Sequence, residues 1–336
     1  METHTHFIHM LKPGEVFAGR YRLIKHVSSD GFTDVWLAED TEVEIETALK
    51  IYTRPDGDGK RELTNEYRLL RDVSHPNLLR SEHFGADGDV FYLEMRYCDG
   101  GNMAGRSGKL DADSLRRVAR DICNGLAYLH AEGIIHQDVK PENILHDTAR
   151  NRYLLSGFDI SCKICSRPDA AAMTVAYAPP EKFGTTPADC APDTKGDMFS
   201  LGVTLYELAT GVLPVDQLQS IGQQMFINGG ELSLYFGDIA DPQVRQVVQR
   251  CLNYRKEDRP TAVEALGLLG GKKTEGDETP KDKSVRTAKP PTVKVKVSNQ
   301  PLTQNTPKPP TPQTPAEKWL YVTVILVLFL FVLVLL

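Results

Sequence analysis

Hydrophobic and polar positions change rhythm along this chain. The early stretches YRLIKHV (21–27), DVWLAED (34–40) and ETALKIY (46–52) alternate and are separated by turn residues, which predicts strands. GDVFYLEMRY (88–97) continues that pattern. KRELTNEYRLLRDV (60–73) instead places Leu63, Tyr67, Leu70 and Val73 at helical spacing. From Asp111 onward helical patterns dominate. DADSLRRVARDICNGLAYLHAEG opens with an Asp cap and closes on Gly133, and KGDMFSLGVTLYELATG closes on Gly211. A small strand-rich lobe followed by a larger helical lobe predicts an α+β, two-lobed architecture with a cleft between the lobes.

Two further segments do not fit a packed core. Residues 270–318 are dense in Pro, Thr and Lys and predict an extended, disordered linker. A flexible chain of that length spans on the order of 40 Å. WLYVTVILVLFLFVLVLL, Trp319 to Leu336, holds 18 residues without a charge, Gly or Pro. As a helix it would measure about 27 Å, close to the ~30 Å hydrocarbon core of a bilayer. Trp319, Tyr321 and Lys318 suit an interface, so the segment is expected to be a transmembrane tail anchor contacting the lipid bilayer, with everything before it cytoplasmic. The expected organisation is an N-terminal extension (1–19), a globular domain (20–269), the linker (270–318) and a single-pass anchor (319–336).

Composition narrows the function classes. The 336 residues carry a net charge of −6. From Lys272 to Lys318 ten Lys/Arg face five Asp/Glu, a balance of +5 that leaves −11 on the rest. An acidic globular part argues against nucleic-acid binding, while a basic linker suits the anionic face of a membrane. The six Cys are scattered, and no apolar run opens the chain as a secretory signal. Free thiols are the expectation, including Cys162 and Cys165, whose spacing lacks a second pair.

The chemistry sits in ordered motifs: TALK ending at Lys50, Glu66 on the following helix, SHPNLL (74–79), HQDVKPEN (136–143), YLLSGFD (153–159), TVAYAPPE (174–181), GDMFSLGV (196–203) and EDRPTAVEAL (257–266). Together they resemble the eukaryotic-type protein kinase family over about 20–269. The resemblance implies a two-lobed kinase fold, with ATP and Mg2+ or Mn2+ as cofactors and a protein substrate or protein partner. Lys50 would contact the nucleotide phosphates and pair with Glu66. Val27, Val35, Ala48, Met95, Tyr97, Cys98 and Leu145 would line the nucleotide site, with Met95 as gatekeeper and 96–98 as hinge. Asp138 would orient the substrate hydroxyl and accept its proton, Lys140 would steady the transferred phosphate, and Asn143 would hold metal. His136 and Phe158 would pack structurally. Thr174 would contact Asp138 and Lys140, which favours Ser/Thr substrates. Glu181 would pair with Arg259, and Asp197 would tie down the catalytic-loop backbone.

Three departures accompany the resemblance. The family's H-R-D arginine, which usually pairs with a phosphorylated activation loop, is Gln137, which suggests that no such phosphorylation is needed or that none is read. HVSSDGFTDV (26–35) puts Ser28, Asp30 and Thr33 where the family has glycines that let backbone amides approach phosphates. Gly157-Phe158-Asp159 stands where the family has Asp-Phe-Gly, so the main metal carboxylate is missing. In extended backbone Asp159 would face the same side as Gly157, ~6–7 Å further along, and a local slide could bring it to the metal. Two readings stand: a Ser/Thr-kinase-like signalling protein with weak or altered phosphotransfer, and a pseudokinase scaffold that binds nucleotide or partners without catalysis.

Overall fold

The computed structural model describes residues 11–29, 33–52, 64, 66–69, 71, 73–158, 161–163, 174–184, 191–213, 220–230 and 234–270, without the side chains of 162 and 163. Residues 271–318 of the expected linker and the apolar segment 319–336 lie outside the described residues.

The small lobe is an antiparallel sheet of β1 (Val16–Phe17), β2 (Tyr21–Ser29), β3 (Thr33–Asp40), β4 (Ile45–Tyr52), β5 (Ser81–Asp87) and β6 (Val90–Arg96). The spatial order is β1-β2-β3-β4-β6-β5. Register assigns each residue to a face, because directly opposed residues share one. Val35 opposes Lys50, which opposes Leu93; Leu37 opposes Ala48, which opposes Met95. Those six therefore line the face turned toward the large lobe. Their neighbours Trp36, Ala38, Leu49, Ile51 and Tyr92 turn the other way and bury with Phe17, Tyr21 and Leu23 in a core of their own. Leu11 and Ala18 pack against that core. Tyr21 donates to Glu94 across it at 2.9 Å.

The large lobe is built on α1 (Ala112–Ala131), α2 (Thr194–Thr210), α3 (Ile221–Ile227), α4 (Pro242–Cys251) and α5 (Ala262–Leu268). Asp111 caps α1 by accepting from the Ser114 amide at 2.7 Å. Leu115, Val118, Ala119, Ile122, Leu126 and Leu129 are buried at three- and four-residue spacing, each worth about 1.5–3 kcal/mol for a large aliphatic side chain. Helix α2 is buried nearly all round from Asp197 to Tyr206 because it runs through the centre of the lobe, and it stops at Gly211 with φ +82°. Thr261 and Glu264 form a capping box at the start of α5.

Between the lobes, two short ribbons carry the loops of interest: β7 (Ile134–Ile135) with β10 (Cys162–Lys163), and β8 (Ile144–Asp147) with β9 (Arg152–Leu155). Both are too short to show as periodicity in the sequence. Cys98, Cys123 and Cys251 are free and buried; Cys165 lies outside the described residues.

Candidate active site

The cleft begins with an ion pair. Lys50 on β4 meets Glu66 at 3.0 Å, with side chains 10% and 4% exposed. Register turns Lys50 into the cleft, and the helical turn at 66–69 brings the carboxylate over it. Below the pair, Ala48, Met95, Cys98, Leu79 and Leu154 form a small apolar cluster with Tyr97 and Leu145 against it. Five of the residues expected at a nucleotide base, drawn from three strands and the hinge, thus share one patch. Val35 is half-buried and Val27 is 47% exposed beside it. Leu79 and Leu154 were not expected there; the apolar runs ending SHPNLL and opening YLLSGF were their signal. Burial pushes the Cys98 thiol up to about 11, so it is held neutral.

The catalytic-loop residues converge between β7 and β8. Asp138 Oδ2 lies 2.7 Å from Lys140 Nζ and accepts from Asn143 Nδ2 at 2.8 Å. Its Oδ1 accepts from the Thr174 hydroxyl at 2.8 Å, and Lys140 donates to that same hydroxyl at 2.7 Å. Asn143 also donates to the Asp138 carbonyl at 2.8 Å. The hydroxyl of Thr174 therefore sits between a carboxylate that can take a proton and an ammonium that can neutralise charge.

Beneath the loop lies a buried anchor. Asp197, 1% exposed, accepts from the His136 amide at 2.9 Å and the Gln137 amide at 2.7 Å. His130 Nε2 adds a third contact at 2.9 Å, which the sequence did not reveal; a His in the last turn of α1 was the available signal. Gln137 has φ +71°, a left-handed conformation costing a non-glycine residue about 1–3 kcal/mol. The Asp197 bonds hold it there. His136 meets Phe158 edge-on at 4.9 Å, and Phe158, 2% exposed, belongs to the large-lobe core.

The segment after the site is clamped separately. Arg259 makes a bidentate pair with Glu181 at 2.7 Å on both arms, and its side chain is fully buried. It also donates to the Asn253, Tyr254 and Lys195 carbonyls and stacks over Phe199 at 4.9 Å. Gly222 in α3 lets that helix approach closely, since a side chain there would strike the carbonyl of Ala178.

Gly157 departs from expectation. Its φ is +79°, so the backbone is not extended there. The alternation that would have put Asp159 on the same side as Gly157 therefore fails at its first residue. Asp159 itself, like 30–32 of the loop between β2 and β3, lies outside the described residues. A Cβ on Gly157 would lie 2.5 Å from the carboxamide of Asn143.

These residues fit a nucleotide: an apolar base patch and a buried ammonium held by its own carboxylate. They do not fit a divalent metal as well. A hard cation seeks several carboxylate oxygens. Among the described residues Asn143 offers one neutral oxygen, Asp138 already receives three donors, and Gly157 offers none; no cluster of three His, Cys, Asp or Glu is placed to hold an ion.

Comparison with known proteins agrees with this geometry. The protein kinase domain family model matches residues 21–268. The chain belongs to the protein kinase family. Among similar curated proteins are the serine/threonine-protein kinase PrkC of Bacillus subtilis, 28% identical over 213 residues, covering 60% of this chain and 32% of that protein. PknJ of Mycobacterium tuberculosis, also a serine/threonine-protein kinase, is 30% identical over 218 residues, covering 61% and 36%. The serine/threonine-protein kinase ATG1a of Arabidopsis thaliana is 30% identical over 215 residues, covering 62% and 34%. The chain thus spans about a third of the length of these relatives. The family uses ATP and a divalent metal, and its members act on proteins.

Proposed function

We propose that this protein is a Ser/Thr-kinase-like signalling protein that binds ATP in the cleft and transfers phosphate weakly to protein hydroxyls. The observation that carries the reading is the assembled Asp138–Lys140–Thr174 cluster. In the reaction Asp138 accepts the proton of the incoming hydroxyl as its oxygen bonds to the γ-phosphorus and the bond to the β-phosphate oxygen breaks. Lys140 neutralises charge on the transferred group, and Lys50, oriented by Glu66, does so on the remaining phosphates. Asn143 holds Asp138 in place from both its carbonyl and its carboxylate. Weakness follows from the poor metal donor set, because electrostatic stabilisation supplies most of the rate in this chemistry.

Gly157 favours a second reading, a pseudokinase scaffold that binds nucleotide or a protein partner without transfer. Transfer of labelled γ-phosphate to a basic protein, by the natural chain and by Asp138→Asn, separates the two. Transfer abolished by the substitution supports the enzyme; none in either, with nucleotide binding intact by calorimetry, supports the scaffold.

The apolar segment 319–336 supports single-pass membrane attachment through the basic linker, with the kinase domain cytoplasmic. Alkaline carbonate extraction of the chain and of a version ending at Lys318 tests this. Extraction of the natural chain would overturn it.

A further inference from the structure

Behind the hinge, four arginines from two lobes line one recess. Arg80 precedes β5, Arg96 ends β6 at the hinge, Arg150 lies in the β8–β9 turn and Arg152 opens β9. The recess has a volume of about 290 Å³, with Pro76, Leu78, Leu79 and Leu154 contributing its apolar surface.

Carboxylates only partly offset this charge. Glu82 is the acidic group in the lining and lies 3.4 Å from Arg80. Asp147, 4% exposed at its side chain, is shared by Arg96 at 3.7 Å and Arg150 at 3.1 Å. It also accepts from the Arg150 amide at 3.0 Å, which fixes the turn. Arg152 feels the charge of Asp121, whose oxygen is used by the Tyr153 amide at 2.9 Å. The side chains of Arg80, Arg96 and Arg150 remain 49%, 43% and 54% exposed, so their remaining N–H groups are open to a ligand. His75 lines the recess but stacks on Tyr128, and burial lowers its pKa, so it adds no charge near neutrality.

We propose that this recess is a binding site for a phosphomonoester dianion. Guanidinium forks match phosphate oxygens in pairs, and several converging forks select a dianion over a single carboxylate or chloride. A phosphate here would bridge the start of the hinge to the β8–β9 turn, and that ribbon carries Leu145 and Leu154 of the base patch. Occupancy would thereby fix the small lobe's angle over the cleft. The inference does not depend on phosphotransfer.

The shared chemistry has two sources, free phosphate and a phosphorylated peptide side chain. The full chain is titrated by calorimetry at constant ionic strength with inorganic phosphate, a short phosphothreonine peptide, its unphosphorylated form and chloride. Binding of one or both phosphate probes is expected, weakened tenfold or more in Arg150→Gln/Arg152→Gln and in Arg80→Gln, and unchanged in Arg255→Gln. Phosphopeptide binding tighter than inorganic phosphate assigns the site to a peptide; the reverse order assigns it to the free ion. The proposal is overturned if neither probe binds, if chloride competes equally, or if the Arg80 and Arg150/Arg152 variants, shown folded by their thermal transitions, bind as the natural chain does. That last result would place the phosphate in the cleft with Lys50 and Lys140.

Discussion

The carboxamide of Asn143 occupies the space into which a side chain at Gly157 would project, with its Cγ, Nδ2 and Oδ1 all 2.5 Å from an ideal Cβ position. The glycine and the asparagine are therefore coupled. Gly157 permits Asn143 to turn back onto Asp138, where it makes both its hydrogen bonds.

Gly157→Ala is expected to cost about 1–3 kcal/mol, through left-handed strain and displacement of that carboxamide. A thermal midpoint lower by roughly 2–4 °C per kcal/mol would report it. Gly157→Asp should lose less to strain, since Asp tolerates this region better, yet it still displaces Asn143. Restoring the carboxylate alone is then expected to destabilise the protein without metal and to recover on adding magnesium, as the new carboxylate joins the Asn143 oxygen. An alanine variant with an unchanged midpoint would remove the coupling.

The Arg259–Glu181 pair predicts an asymmetry. Arg259→Met leaves a carboxylate without its partner and frees three carbonyls, for a loss of about 3–5 kcal/mol. Glu181→Gln keeps an acceptor for one arm and turns an amide N–H toward the other, but all three carbonyl bonds of Arg259 survive, so it should lose less. Equal losses in denaturant titrations would mean that the carbonyl bonds contribute nothing.

Asp40 gives a pH signature. The Arg20 side-chain hydrogen bonds, with Nε at 3.0 Å and Nη2 at 2.5 Å, hold its carboxyl below the usual range, aided by the Glu42 amide. Its folded pKa is depressed, so its stabilisation is present above the unfolded value of ~3.9 and fades as pH falls through the folded value. Asp40→Asn should be less stable than the natural chain near neutrality, with the difference shrinking below about pH 4. A gap that stays constant to pH 2 would rule this out.

Much of the cleft was legible because its residue types are tied to backbone position. TALK alternates, so Lys50 had to share a face with Ala48, and register with β6 added Met95. HQDVKPEN is compact enough that loop closure brings Asp138, Lys140 and Asn143 together. What escaped the sequence lies in backbone conformation and distant contacts. The reading of Gly157 and Asp159 assumed extended geometry, which a φ of +79° breaks. His130 reaches Asp197 from 67 residues away, a pairing that no local pattern encodes. The arginine recess likewise draws on β6 and on a turn more than fifty residues later.

The Asp197 anchor makes the last prediction. Three donors converge on two oxygens: the Gln137 amide on Oδ1, and the His136 amide with His130 Nε2 on Oδ2. Asp197→Asn supplies one acceptor and turns an amide N–H toward a donor, and Asp197→Ala supplies none. Each buried donor left unpaired costs about 1–3 kcal/mol, and Gln137 loses the contact that offsets its left-handed strain. Released, Gln137 should relax toward an ordinary conformation, carrying Asp138 away from Thr174. Amide hydrogen exchange over 136–143 should then accelerate in both variants, while α4 and α5 keep their protection. His130→Leu, which removes one donor and leaves both amides bonded, should leave exchange in the loop near its natural rate. If 136–143 exchanges as slowly in Asp197→Ala as in the natural chain, the loop is held by Thr174 and Asn143 instead, and Asp197 is only a packing contact beneath it.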